Sequence, residues 1–274
     1  MSHPIGVFDS GFGGLTVFRS IVNELSGYDF IYLGDNARAP YGNRSFETVY
    51  EYTLECVQWL FDKGCPLVIL ACNTASAKAL RTIQQKDLPH IDARKRVLGV
   101  IRPTAEIIGK YSKSGSVGVL GTQGTVSSGS YLLEIEHFSP ELKVSQQACP
   151  MWVSFIEAGE HESEGAAYFY KKDITELLDK DPEIDTVLLA CTHYPIIEQQ
   201  IKALLPAGIT VLSQGSIVAA SLRDYLQRHP EMDKRLSKQG VRTFYTTDDP
   251  ALFEQRGSLF YGSPISAHFA DVVD

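Results

Sequence analysis

Two cysteines in this chain sit in matching contexts. Cys72 lies in VILACNTAS over 68–76 and Cys191 in VLLACTHYP over 187–195; each closes an apolar, β-branched run, follows an alanine and precedes a polar residue. Runs of this kind read as fully buried strands, so both thiols are delivered to the carboxyl tip of a strand. A free thiol titrates near about 8.5, and lower beside a cation or a helix N-terminus. Each cysteine precedes a predicted helix, one that Thr74 is placed to cap and one that Pro195 opens. The unpaired N–H groups there favour thiolate and suit a carboxylate ligand. His193, two residues past Cys191, is placed to set that thiol's protonation, and Asp9 or Asp35 could do the same for Cys72. Two acid/base thiols on opposite sides of one carbon take a proton from one face and return one to the other. That chemistry is racemisation or epimerisation, and it asks for no cofactor.

The elements that must position these groups repeat. IGVFDSGFGG over 5–14 and VGVLGTQGT over 117–125 both begin as a strand and break into a Gly/Ser/Thr turn, and each precedes one of the cysteine runs. Two echoes in the same order point to two halves of related topology. Strands are expected over 5–8, 29–33, 66–71, 97–100, 117–120, 142–147, 186–190, 209–212 and 241–246. Helices are expected to about 25, over 45–62, 74–85, from Pro103, to about 138, over 151–158 (short or irregular), 164–180, from Pro195 to 205, and after Gly215. The segment 86–96 reads as polar loop, its DARKR cluster over 92–96 included. Such alternation implies an α/β fold of mainly parallel sheets flanked by helices. Ligands then bind at the carboxyl ends of strands, which here carry Asp9, Asp35, Cys72, Gly121 and Cys191.

Composition narrows the class. A chain of 274 residues with 44% hydrophobic and 21% charged residues builds a substantial core and is not disordered. A net charge of −8 argues against a nucleic-acid partner. No apolar run approaches the roughly 18 to 20 residues that span a bilayer, and no signal peptide precedes the first strand, so a cytoplasmic protein is expected. Five cysteines, an odd count, make a reactive thiol a better expectation than a disulfide framework.

Blander readings compete. A cysteine at the end of a buried strand is usually a small hydrophobe, a reading weakened here by the repeated context. Cys56, within a helix, and Cys65, beside Pro66, read as packing or surface, while Cys149 is ambiguous. Asp35 and Glu157 read as solvated carboxylates unless a cleft encloses them. A metal held by Cys72, Cys191 and His193 lacks both CxxC and HxxxH spacing. The glycine turns do not match the dinucleotide fingerprint.

DSGFGGLTV (9–17), YLGD (32–35), PYG (40–42), ACNTAS (71–76), GTQGTVSSGSY (121–131) and ACTHYP (190–195) together resemble the glutamate racemases of the aspartate/glutamate racemase family, over nearly the whole chain. The resemblance implies a cofactor-independent isomerase that interconverts L- and D-glutamate for peptidoglycan. It makes Cys72 and Cys191 the acid/base pair, with Asp9, His193 and Glu157 assisting. It implies substrate contacts from Asp9, Ser10, Asp35, Pro40, Tyr41, Gly42, Asn73, Thr74, Thr122, Thr125, Thr192 and His193, and no metal. It also implies two α/β domains around an interdomain cleft, 1–98 with 212–274 and 99–211, with the C-terminal strands returning to the first, and a homodimer.

The chain departs from that family at Arg102, where an acidic residue is common, at Ser154-Phe155 in place of Pro-Leu, and at Ser213-Gln214 in place of Asp-Ser. These bear on the hinge, the dimer and the surroundings of Glu157. Three other readings stay open: an aspartate racemase, an amidase or hydrolase using Cys72 as nucleophile and His193 as base, and a non-catalytic amino-acid-binding protein.

Overall fold

The structure, a computed structural model, describes residues 3–272. Met1, Ser2, Val273 and Asp274 lie outside the described residues, including the part of the leader reading and of the domain limits that falls on them. The first sheet holds β1 (Ile5–Asp9), β2 (Phe30–Gly34), β3 (Leu67–Leu70), β4 (Arg96–Gly99), β9 (Arg242–Thr246) and β10 (Ala267–Phe269). The second holds β5 (Ser116–Gly121), β6 (Lys143–Ala148), β7 (Thr186–Ala190) and β8 (Thr210–Leu212). The orders are β10-β9-β2-β1-β3-β4 and β6-β5-β7-β8, and every pairing is parallel. Both C-terminal strands therefore extend the first sheet beyond β2.

The internal echo has a topological meaning. β2-β1-β3-β4 and β6-β5-β7-β8 share one strand order, the second strand outside the first, then the third and fourth. In each, the order reverses between the first and third strands, which is where ligands settle in open α/β sheets. Those strands are β1 and β3 in one sheet, β5 and β7 in the other. All four are buried at every position, as strands covered on both faces must be. Side chains still alternate: Ile5 and Val7 join the core with Leu15, Phe18 and Ile21 of helix Gly14–Glu24, while Phe8 joins that with Val57 and Leu60 of helix Phe46–Asp62. Ser45 caps the latter helix by accepting the Thr48 N–H.

Several expectations needed correction. The helix expected over 74–85 runs through Ala79, whose N–H bonds the Ala75 carbonyl and whose own carbonyl accepts from Ile83, but it widens into a π-helical turn over Ile83–Asp87 and continues to Leu88–Ile91. Pro89 has no N–H to continue the ladder, so the widening falls beside it and the loop begins only at Asp92. Pro103 is the third residue of helix Ile101–Ala105, not the first; the opening N–H groups of a helix lack intrahelical partners, so proline is tolerated there too. Gly129, at φ +66°, splits the helix that ends at Phe138. Pro195 lies in a 3₁₀ turn, Tyr194–Ile197, ahead of helix Glu198–Leu204. Helices Pro230–Asp233 and Pro250–Tyr261 and strand β10 were not expected, although Asp249, Pro250 and Gly262 carry the start and stop signals of the second.

Candidate active site

The carboxyl ends of β1 and β3 meet those of β5 and β7 around one narrow cavity. Its walls include Ser10, Pro40, Tyr41, Gly42, Cys72, Asn73, Thr74, Thr122, Glu157, Cys191, Thr192 and His193. Cys72 and Cys191, exposed by only 5% and 6%, line it from corresponding positions in the two sheets. All five cysteines are free. The space is small, about 40 Å³, enough for a few water molecules. A larger cavity, about 660 Å³, lies elsewhere among Ser76, Arg81, Arg102 and Tyr225 and contains no thiol, so size alone does not mark the chemistry.

The two thiols have different surroundings. Cys72 is itself the N-cap of Asn73–Lys78, its Sγ accepting the Ala75 N–H at 3.4 Å; Thr74, expected to cap, is the second residue of that helix. Ser10 Oγ stands 3.3 Å from Cys72 Sγ. Burial, reinforced by the nearby Asp9 carboxyl, pushes the Cys72 thiol up to about 12, against the hydrogen bonds of Ser10 and Ala75. Asp9 stands behind the wall, wholly buried. One carboxylate oxygen accepts the Gly11 N–H at 3.0 Å, and the backbone N–H of Gly14 also favours the charged carboxylate. Burial raises its pKa, opposed by the charge of His193 and the Gly11 N–H.

Cys191 faces a histidine. Nδ1 of His193 lies 3.8 Å from Cys191 Sγ, and Nε2 lies 2.8 Å from Glu157 Oε1. Burial works against a charged ring here, but the hydrogen bonds to Cys191 and Glu157 outweigh it and lift His193 to about 10. Glu157 is thus drawn into the cleft and is not a free surface carboxylate. His193 faces Cys191, so the hydrolase reading that paired it with Cys72 loses its geometry. Thr16, part of the 9–17 motif but given no role from the sequence, holds this corner by donating to the Thr192 carbonyl at 2.8 Å.

Hydroxyls and backbone join the walls between the sheets. Thr74 Oγ1 and Thr122 Oγ1 are 3.0 Å apart, and Thr122 Oγ1 and Thr125 Oγ1 are 3.1 Å apart. The Gly124 N–H donates to the Gly42 carbonyl at 2.8 Å. Thr125 and Asp35 do not line the cavity. Asp35 is fully buried instead of solvated: it pairs with Arg38 at 2.7 Å, accepts from Thr247 at 2.8 Å and from the Tyr41 hydroxyl, and so fixes Tyr41 in the wall. Cys149 and Cys65 are buried packing, and Cys56 receives an Arg38 N–H at 3.4 Å. Of the departures, Ser154 lines the cavity beside Glu157, Phe155 packs on Phe169, and Arg102 pairs with Glu106 at the surface. Gln214 is buried and hydrogen-bonded to Asn73. Among the described residues no cluster of three or more His, Cys, Asp or Glu is arranged to hold a metal.

Comparison with known proteins adds a second line. The Asp/Glu/Hydantoin racemase family matches residues 5–222. A glutamate racemase of Persephonella marina is 38% identical over 95% of this chain and 94% of its own. A crystal structure of a glutamate racemase isoform from Bacillus anthracis superposes with a TM-score of 0.88 at 34% identity, covering 98% of this chain and 97% of that one. A glutamate racemase from Francisella tularensis, crystallised with D-glutamate, gives 0.86 at 30% identity over 99% and 98%.

Proposed function

Because the chain belongs to the Asp/Glu/Hydantoin racemase family, we infer that it is a glutamate racemase, an isomerase that interconverts L- and D-glutamate. The observation that carries the reading is the pair of thiols at equivalent strand ends of two like-ordered sheets, lining one cavity. Glutamate over other amino acids rests on the relatives.

Racemisation requires one thiol to arrive as thiolate and the other as thiol. The base takes the α-hydrogen as a proton, leaving its electron pair on the carbon and delocalised into the carboxylate. The opposite thiol then supplies a proton to the other face, so the enzyme ends with the two protonation states exchanged. The unequal surroundings suit this division. Burial and Asp9 hold Cys72 as the thiol in the resting site. The His193–Glu157 pair beside Cys191 serves as its proton partner and balances charge. The threonine hydroxyls and the Asn73 amide orient the substrate's carboxylates, and exclusion of water protects the carbanion.

The cavity is narrow, about 40 Å³, which supports a reading in which the walls part for entry and close again for chemistry. Sheet membership supports two lobes, 1–98 with 212–274 and 99–211, as the moving bodies. We place the enzyme in the cytoplasm as a homodimer supplying D-glutamate for peptidoglycan; no helix among the described residues is long and apolar enough to cross a membrane.

The test is a circular dichroism assay of both enantiomers with no cofactor added. Wild type should racemise either, and Cys72→Ser and Cys191→Ser should each lose about 10²–10⁴-fold, the usual worth of a general acid or base. Turnover surviving the loss of either thiol would defeat the proposal.

A further inference from the structure

Asn73 follows Cys72 in the cavity wall, and its amide is tied into a closed ring of hydrogen bonds that does not itself line the cavity. Asn73 Nδ2 donates to Gln214 Oε1 at 2.7 Å, Gln214 Nε2 donates to Tyr131 Oη at 2.7 Å, and the Tyr131 hydroxyl donates to Asn73 Oδ1 at 2.6 Å. All three side chains are at least nine-tenths buried, at 2%, 3% and 0% exposure. A backbone group fixes the ring's direction. Gln214 Nε2 lies 3.2 Å from the Val100 carbonyl and 3.0 Å from Thr104 Oγ1, and a carbonyl can only accept. Gln214 must therefore turn its oxygen to Asn73. Asn73 must answer with its NH₂ and turn its own oxygen to Tyr131, whose hydroxyl then donates. That leaves one Asn73 N–H outside the ring, on a residue that lines the cavity.

The ring also sits where the chain passes between the sheets. Val100 immediately follows β4 on the way out of the first sheet, and Gln214 closely follows β8 on the way back. Tyr131 belongs to helix Ser130–Phe138, which packs with the second sheet. Three segments that must keep their places as the cleft closes are thus joined to one side chain in the wall.

We propose that Gln214 is a positioning residue: through the ring with Tyr131 it sets the Asn73 carboxamide so that its remaining N–H meets the substrate's carboxylate. This rests on the racemase reading and goes beyond it, since neither Gln214 nor Tyr131 touches the cavity. A hydrogen bond that holds the carboxylate throughout the reaction acts mainly on binding, so its loss raises KM more than it lowers kcat.

The experiment is steady-state kinetics in both directions on Tyr131→Phe, Gln214→Met and the double variant, with melting temperatures alongside. Tyr131→Phe removes one oxygen in place and carries the test even where Gln214→Met folds poorly. Each single variant should raise KM about tenfold, the order of one hydrogen bond, with kcat within about twofold. The double variant should be little worse than either single, because a ring opens only once. A KM unmoved in Tyr131→Phe, losses confined to kcat and melting temperature, or fully additive losses would overturn the proposal. A wild type that fails to racemise glutamate would instead overturn the reading beneath it.

Discussion

Gly13 packs directly on the imidazole of His193: a Cβ at position 13 would fall 2.3 Å from Nδ1 and 2.6 Å from Thr192 Oγ1. The imidazole cannot yield without leaving Cys191 or Glu157, which it engages through its two nitrogens. Glycine is needed here for closeness of approach, since no L side chain fits between helix Gly14–Glu24 and the ring. Gly13→Ala should therefore fold, judged by far-UV circular dichroism, yet lose about 10²-fold in kcat/KM in both directions, the scale of an ångström-sized misplacement at a reacting group. Full activity in the folded variant would show that His193 does not need its present place.

The same histidine sets a pH dependence of stability. Its folded pKa is raised to about 10 from 6.5, so the folded chain keeps a proton that the unfolded chain releases. The stabilisation is complete below 6.5 and is lost as the pH rises through 10. Unfolding free energies from urea titrations below, within and above that window should fall with pH more steeply for wild type than for His193→Asn, by a slope of up to about one proton. Parallel curves for the two proteins would contradict the assignment.

Closure of the cleft has its own test. A Cβ on Gly124 would come 2.8 Å from the Gly42 carbonyl and 3.1 Å from Thr74 Cγ2 and Lys78 Cε. The Gly124 N–H bonds that same carbonyl at 2.8 Å, so Gly124→Ala holds the two walls apart. Calorimetric binding of D-glutamate should weaken by about tenfold, roughly the worth of one good hydrogen bond, with the melting temperature little changed. Unchanged affinity would show that this contact does not hold the closed state.

Much of this arrangement was legible in the chain. The apolar runs before Cys72 and Cys191 bury strands on both faces, and burial leaves only their carboxyl tips for chemistry, so the thiols and the parallel sheets came together. The two echoes were legible because equal strand order needs equal strand–turn–helix grammar. What escaped was set by distance along the chain. Thr16 holds Thr192 across 176 residues, and Gln214 reaches Tyr131 across 83, and no local pattern encodes such pairs. Asp35 looked like a partner for Cys72 because it lies at a strand's carboxyl end, yet Arg38, Tyr41 and Thr247 take up its oxygens. Gln214 showed only as a departure from the family, without a reason until its four partners were seen together.

The most direct test of two thiols acting on opposite faces of one carbon is the racemisation of L-glutamate in deuterium oxide, stopped at low conversion and analysed by NMR and mass spectrometry. The account predicts that the D-glutamate formed carries deuterium at Cα, delivered by one thiol, while unreacted L-glutamate keeps its hydrogen because the other thiol holds the proton it removed. D-glutamate bearing the substrate's own hydrogen, or L-glutamate exchanging as fast as it racemises, would contradict it.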